Sequence, residues 1–138
     1  MGNREIVTAA FDDWVAGRAH VSRIFSVDMT WEITGRSTSA GRYASRQAFT
    51  DEVLIPFARR FSADAPFRPV AVRSVHADES TGTVVVLWDG QGTTTAGTTY
   101  ENTYAWVMRL KGGLVVDGTA FYDSIAFNEL WFGVEPTT

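Results

Sequence analysis

The chain predicts an α+β fold, with a strongly curved antiparallel sheet wrapped on N-terminal helices to form a cone with an interior pocket. Three observations carry that expectation. An apolar stripe at helical spacing opens the sequence, in Ile6, Val7, Ala10, Phe11, Trp14 and Val15. A second helical run, with Phe49, Val53, Phe57 and Phe61 recurring every four residues, is interrupted by Pro56. From Arg68 onward the apolar period is two, through four successive segments. The interior of such a cone either fills with side chains or holds a ligand.

In order, the first element is a helix from Asn3 to Gly17, with Asn3 as its N-cap and Gly17 as its left-handed stop. After a short connection holding His20, Met29, Trp31 and Ile33 alternate with Thr30, Glu32 and Thr34 up to Gly35, the pattern of a strand with one apolar face. A loop rich in Ser, Thr and Gly, Arg36 to Tyr43, leads into SRQAFTDEVLIPFARRF. Ser45 caps that helix, and Pro56, lacking an N–H, kinks or divides it. RPVAVRSVHA, TVVVLWDG, TTYENTYAWVMRL and GLVVDGTAFYD are then four strands. The turns between them lie at Asp78 to Gly82, Asp89 to Gly97 and Lys111 to Gly113, short enough for an antiparallel meander. A last helix runs from Ser124 to Phe132.

A chain of 138 residues is one domain, 1–138, large enough to bury its own core. With no cysteine, disulfides and thiolate chemistry are excluded. No apolar run reaches the ~20 residues of a membrane span, and MGNREIVTAAF does not read as a signal peptide, so a soluble cytoplasmic protein without a membrane partner is expected. Eleven arginines and one lysine are scattered within a net charge of -4, which leaves no basic stripe for nucleic acid. His20 and His76 stand far apart without carboxylates at ligand spacing, so no metal is expected. GQGTTTAG opens no helix and is not a phosphate loop, and no GxSxG elbow is present, so no cofactor is expected either. The unusual quantity is the 13% aromatic content with five tryptophans, because surplus rings line apolar pockets or interfaces.

WEITG, the strand–hairpin–strand stretch GTTYENTYAWVMRLKGGLVVDGTAFYD and the terminal helix, in that order, resemble the SnoaL-like branch of the nuclear transport factor 2-like superfamily across nearly the whole chain. The resemblance implies a small apolar or aromatic ligand and a homodimer. It also implies cofactor-free proton chemistry of the isomerase, cyclase, dehydratase or hydratase type, in a superfamily that includes members that only bind or dimerise. Asp123 stands where the cyclases and epoxide hydrolases of that superfamily carry a general acid or base. Ile33 stands where the steroid isomerases carry an aspartate and the epoxide hydrolases an asparagine, and VVVLW lacks the latter's arginine and aspartate.

Asp123 is open to two readings. Following FY at the end of an apolar strand, it can be a proton donor or acceptor in a hollow, its pKa raised by lost hydration. Preceding SIAFNELW, it can equally be an N-cap. Tyr100, Asn102, Tyr104 and Trp106 share one strand face, on which Tyr104 is the second catalytic candidate and Asn102 can orient an oxygen. Trp31 and Ile33 face together on the first strand, and Trp14, Phe57, Phe61, Trp88 and Phe121 are further candidate walls for the substrate. Each of these is open to a plain core reading, and the sheet exterior (Thr99, Glu101, Thr103, Ala105, Val107) to pairing with a second copy. A ligand carrier and an assembly module therefore stand beside the enzyme reading.

Overall fold

The opening apolar stripe forms helix α1, Asn3–Val15, in the computed structural model, which describes all 138 residues. Its N-cap is Gly2 rather than Asn3. The Glu79 carboxylate, brought in from a distant turn, accepts the Asn3 N–H at 3.1 Å and complements the helix dipole. No local pattern announces a cap from so far along the chain. Gly17 ends the segment at φ 74°, as expected.

A 3₁₀ turn, Val21–Ile24, leads to strand β1, Phe25–Ile33. The Ser/Thr/Gly loop ends in an additional short strand, β2 (Gly41–Tyr43), which pairs with β1 through Trp31 and Tyr43. Ser45 caps α2, Arg46–Phe49, by accepting the Ala48 N–H at 3.0 Å. Pro56 does not break the helical segment. A π-helical turn, Thr50–Leu54, widens the coil before it and delivers Pro56 to the first turn of α3, Ile55–Ala58, where a missing N–H is tolerated.

Strands β3 (Arg68–Asp78), β4 (Thr83–Thr93), β5 (Thr99–Lys111) and β6 (Leu114–Tyr122) form the meander, closed by helix α4, Ser124–Gly133. The sheet order is β2-β1-β6-β5-β4-β3, antiparallel except where β1 runs parallel to β6. The helices cover its concave face. Val7, Ala10, Phe11 and Trp14 of α1 are buried with Val84, Val86 and Trp88 of β4 and Trp106 and Met108 of β5, the main core. No helix is long and apolar enough to cross a membrane.

One irregularity decides which face carries the candidate acid. Leu110 pairs with Val115 and Arg109 with Asp117, so Val116 is an extra residue in β6, a bulge. Beyond it the alternation is reset: Gly118 and Ala120 are buried, and Tyr122 follows them inward. Asp117, Thr119, Phe121 and Asp123 consequently face out. Gly118 is glycine for a steric reason, since a Cβ there would overlap the Trp31 ring. At the other end, buried Arg60 donates to the carbonyls of Val134 (2.8 Å), Pro56 (2.9 Å) and Trp131 (3.1 Å) and lies 3.8 Å over the Trp131 ring. That latch fastens α4 to the end of α3.

Candidate functional site

Between the concave face and the helical segment 46–58 lies a cavity of about 130 Å³, with 15 hydrophobic residues among the 17 that line it. Its wall is built of interlocked rings. Trp88 stacks on Tyr104 (4.2 Å, 11°) and Trp31 on Phe49 (5.0 Å, 18°). Trp106 meets both tryptophans edge-on, at 4.9 Å from Trp31 and 5.1 Å from Trp88. Offset and edge-to-face arrangements are the favourable ones for quadrupolar rings, so the wall is stiff without a ligand.

The polar groups bordering this space are neutral. Tyr104 and Tyr122 are pushed well above the ordinary phenol pKa by burial, and Tyr100 behind them up to about 12 for the same reason. All three stay protonated at neutral pH and can donate. Tyr104 shares a 2.8 Å hydrogen bond with Tyr100, and Tyr122 one of 2.8 Å with Ser37.

His20 sits at the rim, its ring 4.7 Å from that of Trp14. Its Nδ1 accepts the Ser22 N–H at 3.0 Å, a bond open only to the unprotonated nitrogen. Burial of the ring lowers its pKa to about 4, a drop tempered by the part of the residue that stays exposed. The folded chain thus binds fewer protons at His20 than the unfolded chain between about pH 6.5 and 4. Stability is expected to be full above that window and to fall as pH drops through it, and His20→Gln should flatten this limb in melts recorded at successive pH values. Asp13, held low by Arg18, and Asp89, held low by Arg73, act in a separate window below the usual carboxylate pKa of 3.8.

No family model matches the chain, and no curated protein does. Solved structures do match. An NTF2-like protein from Burkholderia thailandensis superposes with a TM-score of 0.73 at 18% identity, covering 94% of this chain and 97% of that one. Bal32a, from a soil-derived mobile gene cassette, gives 0.71 at 22% identity, covering 94% and 95%. The chain has an NTF2-like fold. TerC, co-crystallised with polyporic acid, shares it at a TM-score of 0.69 and 19% identity, covering 94% and 98%.

Within this NTF2-like cone, seven of the residues singled out in the sequence come together on the cavity wall: Trp14, Trp31, Ile33, Phe57, Trp88, Tyr104 and Trp106. Phe121, Asn102 and Asp123 do not. Phe121 is 47% exposed, because the Val116 bulge turns it outward opposite Ala105. Asn102 is buried but lies behind the wall, bonded to Tyr100 and to the backbone of Asp123. Asp123 is exposed in a polar groove on the outer side, shared with Arg73, Asp89 and Glu101. Its Oδ1 accepts the Ile125 N–H at 2.9 Å, so the side chain caps α4.

Asp123→Ala is expected to destabilise the protein by about 1 kcal/mol, the usual worth of an N-cap, and Asp123→Asn by only a few tenths. Chemical denaturation of both variants checks this, and ligand uptake by the cavity should be unchanged in each.

Several wall residues were not among the sequence candidates: His20, Phe49, Val53, Leu54, Phe67, Ala120, Tyr122 and Phe127. Phe49 and Val53 belong to the stripe that marked the second helix, a usable signal. Tyr122 was hidden by the bulge, which reverses the parity a regular strand would give it.

Proposed function

We propose that the chain binds a small, largely apolar, ring-bearing molecule in its interior cavity and holds it without converting it. The observation that carries this is the cavity itself: a wall of stacked and edge-on rings whose polar members are all neutral. Proton transfer at neutral pH needs a group that titrates nearby. The wall phenols are pushed up, the rim histidine is pushed down and engaged at Nδ1, and the Asp123 carboxylate is spent on the α4 cap. These features favour a binder over an isomerase or cyclase working through Asp123. TerC, of similar fold, being crystallised with polyporic acid lends the pocket reading support.

Thermal melts with single-ring aromatics test the proposal. A ligand at one hundred times its Kd should add about 2.7 kcal/mol to stability. The absence of a shift with every such compound would defeat the pocket reading, and a new product in the recovered ligand would defeat the non-catalytic part of it.

We also propose a second copy of the chain as a partner. Val85, Leu87, Ala105, Val107 and Phe121 form an apolar strip along the outer face of β4, β5 and β6. Sedimentation should give twice the chain mass, falling to the chain mass in Phe121→Glu.

A further inference from the structure

Strand β5 is 13 residues long, and Ala105 is its midpoint. Its burial alternates without a break, so Glu101, Thr103, Ala105, Val107 and Arg109 all stand on the outer face. The strand pairing carries that midpoint across the sheet, since Ala105 lies opposite Leu87 on β4 and opposite Phe121 on β6. One apolar row therefore crosses three strands at right angles to them.

Charge is distributed unevenly about that row. On one side Glu101 is exposed in the groove with Asp89, Asp123 and Arg73, where the Arg73 Nε lies 3.0 Å from both Asp89 carboxylate oxygens. Glu101 and Asp123 are left there without a cation of their own. On the other side, Arg109 stands as far beyond Ala105 as Glu101 stands before it, and it too is exposed. Asp117, opposite Arg109 on β6, accepts the Thr30 hydroxyl at 2.6 Å, and Arg109 takes part in none of the ion pairs within the chain.

The edges of the sheet are poorer places for a second copy. Strand β2, at one edge, has three residues, and β3, at the other, carries Pro69 and two register shifts that interrupt its row of free backbone groups. The outer face has no such interruption along β5.

Sheets packed face to face lie about 10 Å apart, and a two-fold axis relating two copies lies in the plane between them. Charge separates the two simple orientations of that axis at Ala105. An axis along β5 sets each outward residue over its own copy, which places like charges together at both ends. An axis along the row Leu87, Ala105 and Phe121 runs the two β5 strands antiparallel and sets Glu101 over Arg109 of the partner subunit. Both side chains are long enough to meet across such a gap.

From these three observations we propose that two copies form an isologous dimer whose two-fold axis follows the row Leu87, Ala105 and Phe121, with Glu101 paired to Arg109 of the partner subunit. The symmetry makes that pair occur twice, once at each end of the apolar strip. This rests on the second-copy reading above and adds to it the axis, the register and the two ion pairs.

Exchanging the charges tests the register. In Glu101→Arg two cations face each other at both ends of the interface, and in Arg109→Glu two carboxylates do. Sedimentation should give each variant a dimer dissociation constant at least about tenfold above that of the unmodified chain. An equimolar mixture of the two variants again sets opposite charges together at both ends, as does the chain carrying both substitutions. Both should return to the unmodified association, at concentrations where either single variant sediments at the chain mass. Single variants that associate as tightly as the unmodified chain, with Phe121→Glu still dissociating, would overturn the register and leave the outer-face reading standing; if Phe121→Glu also stays associated, the outer face itself is overturned. Weakening with recovery in neither the mixture nor the doubly substituted chain would overturn the pairing of Glu101 with Arg109. An unmodified chain that sediments at the chain mass throughout would overturn both readings.

Discussion

Trp88→Ala is expected to cost about 3–5 kcal/mol, the range for removing a large aromatic from a packed core. Trp88 is only 1% exposed and is the ring on which the others meet. It stacks on Tyr104 and lies 5.6 Å from Phe11, 5.1 Å from Trp14 and 5.1 Å from Trp106, so it joins α1, β4 and β5 at the cavity wall. A domain of this size has about 5–15 kcal/mol in total, so the variant loses roughly a fifth of its stability or more. Urea unfolding should show a lower midpoint with an unchanged slope. A loss below about 1 kcal/mol would mean that the ring cluster is not the centre of the core.

Ala120→Leu is expected to abolish ligand binding while leaving the protein folded. Ala120 is 2% exposed, borders the cavity, and sits on β6 opposite Trp106 and beside Ile33. A leucine there places three additional carbons in a space that holds one ring. Because the added atoms enter a void rather than a filled core, the overpacking penalty of about 1–3 kcal/mol should be largely avoided. Calorimetric titration with a single-ring aromatic that stabilises the unmodified protein should show affinity falling by at least about a hundredfold, or 2.7 kcal/mol. Undiminished binding would move the ligand site elsewhere, the outer groove around Asp123 being the first place to look.

Much of the fold was legible because its signals are local. The stripe of α1, the alternation of β1 and the period-two runs after Arg68 each report the face a residue presents, and all three are present in the structure. The tryptophans of the wall were legible for the same reason: Trp31 and Ile33 share parity on β1, as do Tyr104 and Trp106 on β5. What was not legible depends on pairings between distant segments. The Val116 bulge arises from the register of β6 against β5, and it alone sends Phe121 and Asp123 outward and Tyr122 inward. The cap of α1 comes from Glu79, and the latch of α4 from Arg60, each across dozens of residues. The π-helical turn before Pro56 has no signature in the sequence, because Pro reports only its own missing donor, and a widened coil upstream meets that lack.

The stretch TAFYDSIAFNELWF illustrates the same point at the candidate acid. The capping geometry of Asp123 was legible in the residues that follow it, whereas its exclusion from the cavity was set seven residues upstream.

The five tryptophans offer the most direct measurement of the central claim, that a single-ring ligand occupies the interior cavity. Trp14, Trp31, Trp88 and Trp106 border it, whereas Trp131 lies against Arg60 near the C-terminus, outside it. In a proton–nitrogen correlation spectrum of the labelled protein, each indole N–H gives its own signal. Addition of a single-ring aromatic that stabilises the protein should displace the signals of Trp14, Trp31, Trp88 and Trp106 through ring currents, and that of Trp131 not at all. Five unmoved indole signals at saturating ligand, or a displacement confined to Trp131 and the backbone around Asp123, would contradict it.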